Sequence, residues 1–233
     1  MKTVAIALSL AVALAATAPA LTTPAMAAAP AGTEKVKLSG KKGPSLFRPG
    51  FQLGEYDGNA TVKSSKSSVT GIFEGGKASV EMTVNGPGLG PVEVACGGGQ
   101  SRLGLGWITF DRDKLQFFCT LSGPGAGSDA SFALASAKGG GLLKNLQQPQ
   151  RAAELRFGGL SIRARTEQVG GMPIGGGATI GYVFSRDGVD VGGVDLAAMQ
   201  PTAYLPPKGS KDRDAVAVLS LILIFFKDPG RQR

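Results

Sequence analysis

The stretch that decides the fold is Asp214-Ala-Val-Ala-Val-Leu-Ser-Leu-Ile-Leu-Ile-Phe-Phe-Lys227. Between Ala215 and Phe226 its one polar side chain is Ser220, and nothing after the N-terminal leader is as apolar. A segment apolar on every face has to be enclosed. Its residues permit two conformations. Val216, Val218, Ile222 and Ile224 are β-branched and suit a strand. The punctuation suits a helix: Pro206-Pro207 breaks what precedes it, and Ser210, Asp212 and Asp214 offer caps and negative charge at the start. Lys227 fits a last turn and Pro229-Gly230 a stop. As a strand the segment would run about 40 Å, long for a small sheet; as a helix it is roughly 20 Å, close to the height of a barrel. A buried helix over 215–226 is therefore expected, too short to span a bilayer unaided.

Working back from it, the chain reads as short strands between turns. Strands are expected at 59–63, 69–74, 78–84, 91–96, 103–110, 114–121, 130–136, 152–157, 160–166, 177–185, 189–196 and 202–205. Alternation is clean where Val80, Met82 and Val84 oppose Glu81 and Thr83, and where Leu160, Ile162 and Ala164 oppose Ser161, Arg163 and Arg165. Asp57-Gly58, Gly75-Gly76, Asp111-Arg-Asp113 and Asp187-Gly188 read as turns. The 36 glycines in a chain of real hydrophobic content imply tight turns and strong curvature rather than disorder. The expected class is mainly β: about twelve antiparallel strands in a barrel or strongly curved sheet that encloses the C-terminal helix.

That combination resembles the tubby C-terminal-like superfamily, which includes phospholipid scramblases and LURP-one-related proteins. The resemblance is densest over residues 178–228. Ala178-Thr-Ile-Gly-Tyr-Val-Phe-Ser-Arg-Asp-Gly188 is similar to a strand and turn of that fold, and Val191-Gly-Gly-Val-Asp195 to the next strand. Tyr204-Leu-Pro-Pro207 and Asp212-Arg-Asp214 lead into the helix in the same way. The resemblance implies a closed twelve-stranded barrel around a hydrophobic helix, and a membrane-associated role. The chain departs from the superfamily in its export leader, in having no acidic loop like a scramblase calcium site after Phe226, and in lacking assignable phosphoinositide ligands.

The leader is Lys2, an apolar run from Val4 to Ala16, and the small-x-small site Ala25-Met26-Ala27. Cleavage after Ala27 and export to the periplasm or beyond are expected. Residues 28–50 are rich in Ala, Pro, Gly and Lys, with Lys35, Lys37, Lys41, Lys42 and Arg48 against Glu34, and read as a basic arm. A single β-rich domain is expected over 51–228, with a tail at 229–233. Without the leader, 24 Lys and Arg stand against 17 Asp and Glu, a net +7. That balance suits anionic lipid or polysaccharide; export disfavours nucleic acid as a partner. Cys96 and Cys119, the only cysteines, both fall on apolar strand faces. In an exported chain they are expected to form a disulfide, worth roughly 3 kcal/mol, the alternative being two buried thiols that never meet.

The chain has no histidine, which removes Ser-His-Asp and Cys-His nucleophilic systems and most transition-metal sites. No catalytic, cofactor-binding or metal-binding residue is expected. Gly71-Ile-Phe-Glu-Gly-Gly-Lys-Ala78 is one hydroxyl short of a phosphate-binding loop and reads as a hairpin. Asp187, Asp190 and Asp195 lack calcium-loop spacing. Trp107 and Phe110 suit a core or a sugar platform, and Asn59-Ala-Thr61 matches a glycosylation acceptor. The expected anion or lipid contacts are Arg163 and Arg165, on one strand face, and Lys208, Lys211 and Arg213 before the helix. The first expectation is an exported, non-enzymatic barrel that meets an envelope component through basic loops, anionic lipid being one candidate. One alternative is a structural protein that binds other envelope proteins through strand edges or the arm. The other is a glycan-acting enzyme with paired carboxylates, drawn from Glu81, Glu93, Asp111 and Asp113.

Overall fold

The computed structural model describes residues 29–40, 50–64, 78–98, 116–136, 151–167, 181–197 and 200–226. Twelve strands form a closed antiparallel barrel in which each pairs with its neighbours in sequence. They are β1 (Glu34–Ser39), β2 (Gly50–Leu53), β3 (Tyr56–Ser64), β4 (Ala78–Asn85), β5 (Val92–Gly98) and β6 (Gln116–Ser122). The second half is β7 (Ser131–Ser136), β8 (Arg151–Phe157), β9 (Leu160–Thr166), β10 (Gly181–Arg186), β11 (Val189–Asp195) and β12 (Thr202–Leu205). Closure is made by β1, which pairs with β2 on one side and with β12 on the other, Glu34 to Lys37 running antiparallel to Leu205 to Thr202. The single helix among the described residues, α1, Arg213–Phe225, is the apolar segment.

The helix is enclosed, as its composition requires. Every side chain from Ala215 to Leu223 is buried, against inward residues of the barrel wall. Ser220 avoids an unsatisfied hydroxyl because its Oγ donates to the Val216 carbonyl at 2.7 Å. At the C-terminal end the Phe225 and Phe226 rings meet Phe51 and Phe117, with centroids 5.2 and 4.6 Å apart. Gly192 on β11 faces the helix: a Cβ there would lie 2.7 Å from both Val216 Cγ1 and the Tyr204 carbonyl oxygen. The absence of a side chain is what lets the helix approach the wall.

Ten of the expected strands correspond to observed ones, and 69–74 and 103–110 lie outside the described residues. Two expectations are corrected. Residues 28–50 are not simply an arm, because Glu34–Ser39 is the strand that closes the barrel; the domain therefore begins upstream of residue 51. Only Val36 and Leu38 point inward there, too little to mark a strand, and it is the free edges of β2 and β12 that recruit it. Asp57-Gly58 is not a turn either but part of β3, the reversal being at Gly54 and Glu55. Gly58 faces inward, where the Thr83 carbonyl oxygen would be 1.8 Å from a Cβ. Asp187-Gly188 is a hairpin turn as expected, with φ of 52° and 82°.

Cys96 on β5 and Cys119 on β6 are register partners and are bonded, with S–S 2.08 Å. Both are buried on the inner face, where the alternation had placed them. Replacing both with Ser should cost about 3 kcal/mol and lower Tm by roughly 6 to 12 °C. Gly192→Ala should cost about 1 to 3 kcal/mol through overpacking. Thermal melts followed by circular dichroism check both, and an unchanged Tm in Gly192→Ala would show that the helix has room to shift.

Candidate functional site

The densest polar arrangement lies where the helix begins, and it follows from the need to end an apolar helix at a barrel mouth. Leu205 ends β12, Pro206-Pro207 prevents its continuation, and a turn through Lys208 to Lys211 brings the chain back over the mouth. Arg213 then points inward with only 3% of its surface exposed. Its guanidinium is satisfied from three elements. Nε and Nη2 both donate to the Glu55 carboxylate, the latter at 3.0 Å, Nη2 donates to Glu34 Oε2 at 2.8 Å, and Nη1 donates to the Pro206 carbonyl. Beside it the Tyr56 hydroxyl donates to Asp214 Oδ1 at 2.6 Å, and Arg186 on β10 pairs with Asp212, the residue preceding the helix. The cluster thus ties the helix start to β1, to the β2–β3 turn and to β10.

These contacts shift the titration of their members. The hydrogen bond from Arg213 holds the Glu55 carboxyl below its ordinary value, against the opposing effect of burial. Tyr56 is pushed far above its ordinary value by burial first and then by its hydrogen bond to Asp214 and the charge there. A phenol so disfavoured as an anion is a poor nucleophile or base near neutral pH. A depression of about 500 Å³ opens over the cluster, bordered by Glu55, Tyr56, Pro87, Lys208, Ser210 and Asp214 among others. Its charges are mixed, and the Glu55 and Asp214 carboxylates that line it are engaged by Arg213 and Tyr56.

The five expected anion contacts are not brought together. Arg213 is corrected outright: it is a buried cation neutralised by Glu34 and Glu55 rather than a surface one. Lys208 and Lys211 are exposed on the turn beside it. Arg163 and Arg165 share the outer face of β9, but Arg165 is taken up by Asp190, which it meets through two hydrogen bonds of 2.9 and 3.0 Å, and by Glu167 at 3.0 Å. The signal for Arg213 was available in the Pro-Pro break and the flanking aspartates, but Glu34 and Glu55 lie 179 and 158 residues away.

The remaining candidates are dispersed. Asp187 is exposed on its hairpin, Asp190 binds Arg165, and Asp195 accepts the Ala197 amide at 2.8 Å. Glu81 and Glu93 are exposed on the convex outer wall of β4 and β5, not in a cleft. Asp111, Asp113, Trp107, Phe110 and all of the 71–78 motif except Ala78 lie outside the described residues. Among the described residues no group of three His, Cys, Asp or Glu side chains is arranged to hold a metal ion, and no helix is long and apolar enough to cross a membrane. No protein-family model matches the chain, and neither a curated protein nor a solved structure is detectably similar to it.

The clamp makes a pH prediction. The folded Glu55 carboxyl titrates below its ordinary value of 4.5, so its contribution is complete above that pH and is lost as pH falls through the folded value. Glu55→Gln should cost about 2 kcal/mol at pH 7 and much less at pH 3. Urea midpoints at the two pH values measure this; an equal loss at both would mean that the Glu55 charge is not what holds Arg213.

Proposed function

We propose that this is an exported, non-enzymatic barrel protein, allied to the tubby-like barrels, that associates with the anionic lipid of an envelope membrane through basic loops. The closed twelve-stranded ring around a C-terminal helix supports the alliance at the level of architecture. The observation that carries the lipid reading is how charge is divided between the barrel and its connections. The described residues hold 11 Lys and Arg against 13 Asp and Glu. The segments outside them that follow the leader hold 13 Lys and Arg against 4 Asp and Glu, a net +9. The basic character of the chain therefore belongs to its connections and tail, not to its frame.

Such segments attract an anionic surface by roughly 1 kcal/mol per basic residue near it, an attraction that salt screens. The rival reading through strand edges has none to use among the described strands, since the ring is closed. Flotation of the mature protein with phosphatidylglycerol vesicles should recover it at low salt and lose most of it in 0.5 M NaCl (about a 4 Å screening length), with little recovery on phosphatidylcholine alone. Recovery that is absent, or indifferent to salt and lipid charge, would remove this function.

A further inference from the structure

The ring has a seam at its first strand. Among the described strands β1 alone has no residue with register partners on both sides: Glu34 to Lys37 pair with β12, and Leu38 and Ser39 pair with β2. By contrast, Ala152 to Arg156 of β8 are paired with β7 and β9 at once. The Leu38 amide adds a bond to the Pro201 carbonyl at 2.9 Å. Val36 is the one buried side chain of the strand, and Leu38 is partly buried. A further hold is the ion pair of Glu34 with Arg213, 2.8 Å long.

The gap that β1 fills is specific to it. Its neighbours β2 and β12 are otherwise paired with β3 and β11, so its departure would leave an open edge on each and uncover the core below Val36. A strand that refills the gap has to put an apolar side chain over Gly54, where a Cβ would lie 3.2 Å from Val36 Cγ1. It has to bring a carboxylate to Arg213, which keeps Glu55 but loses Glu34 when β1 leaves. It also has to run antiparallel to both neighbours. The β1 of a second copy meets each of these demands by identity. Ten residues separate Ser39 from Gly50, a reach of about 33 Å when extended.

We propose that β1 is exchangeable, and that two copies of this chain associate by each lending its β1 to the gap between β2 and β12 of the other. No new contact is needed, because every bond that β1 makes within one copy is remade between two. The balance is therefore set by protein concentration, and the speed by how fast β1 leaves its own barrel. Loosening the pair of Glu34 with Arg213 speeds exchange without favouring either state, since both states contain it. This goes beyond the lipid reading and does not depend on it.

Ser39 and Gln52 are register partners and both exposed, so cysteines there report where β1 lies, the native pair being buried and bonded. An isotope-labelled Ser39→Cys chain mixed with an unlabelled Gln52→Cys chain under mild oxidation should give a heavy–light disulfide-linked dimer, its yield rising with protein concentration. Glu81→Cys, exposed on β4 outside the gap, should link to Ser39→Cys at least tenfold more slowly. Adding Glu34→Gln to both chains should speed the link between positions 39 and 52 several-fold, with circular dichroism showing them still folded. One chain carrying both Ser39→Cys and Gln52→Cys should close within itself at low concentration; failure to close would remove β1 from beside β2, and the proposal with it. A link between positions 39 and 52 of different chains that forms no faster than the link between 39 and 81 would overturn exchange. So would chains that take up a free peptide of residues 33–40 without linking to one another, an outcome that assigns the gap to some other extended segment.

Discussion

The enclosure of one wholly apolar helix is the constraint on which the rest of this structure depends. A helix with no polar face cannot sit on a surface, so the sheet has to surround it, and twelve strands closing on themselves do so. Details of the wall answer to the helix. Gly192 is bare where Val216 comes closest, and Phe51 and Phe117 form the seat for Phe225 and Phe226. The ring must also be complete, which makes the short and lysine-rich β1 essential: without it β2 and β12 would each expose an edge and the helix a flank.

Enclosure creates a second problem at the helix start, where polar backbone and charged side chains meet a mouth built for apolar packing. Arg213 resolves it by gathering Glu34, Glu55 and the Pro206 carbonyl, so that a cation that would be costly alone is compensated on each side. The same residue joins the first strand, the second turn and the final helix, and so links the two ends of the chain. Its role is structural. The polar depression above it shows how a cluster of titratable groups can arise from the demands of the fold, since its carboxylates are engaged within the cluster.

The charge that distinguishes the molecule lies elsewhere. The described residues are close to neutral, with 11 Lys and Arg against 13 Asp and Glu, while the connections and tail outside them carry a net +9 in sequence.

The apolar run at 215–226, with its Pro and Asp punctuation, was enough by itself to determine a buried helix, and period-two alternation was enough to place ten strands and to put Cys96 and Cys119 on inner faces. These are local signals, carried by neighbouring residues. Tertiary structure alone decided three things. It made Glu34–Ser39 a strand, because a segment with two inward apolar residues pairs only when two edges await it. It turned Arg213 from an expected surface contact into a buried clamp, because its two carboxylate partners are more than 150 residues away in sequence. It also decided which connections share a barrel end, since that depends on strand order and direction, and neither is a property of any one stretch of sequence.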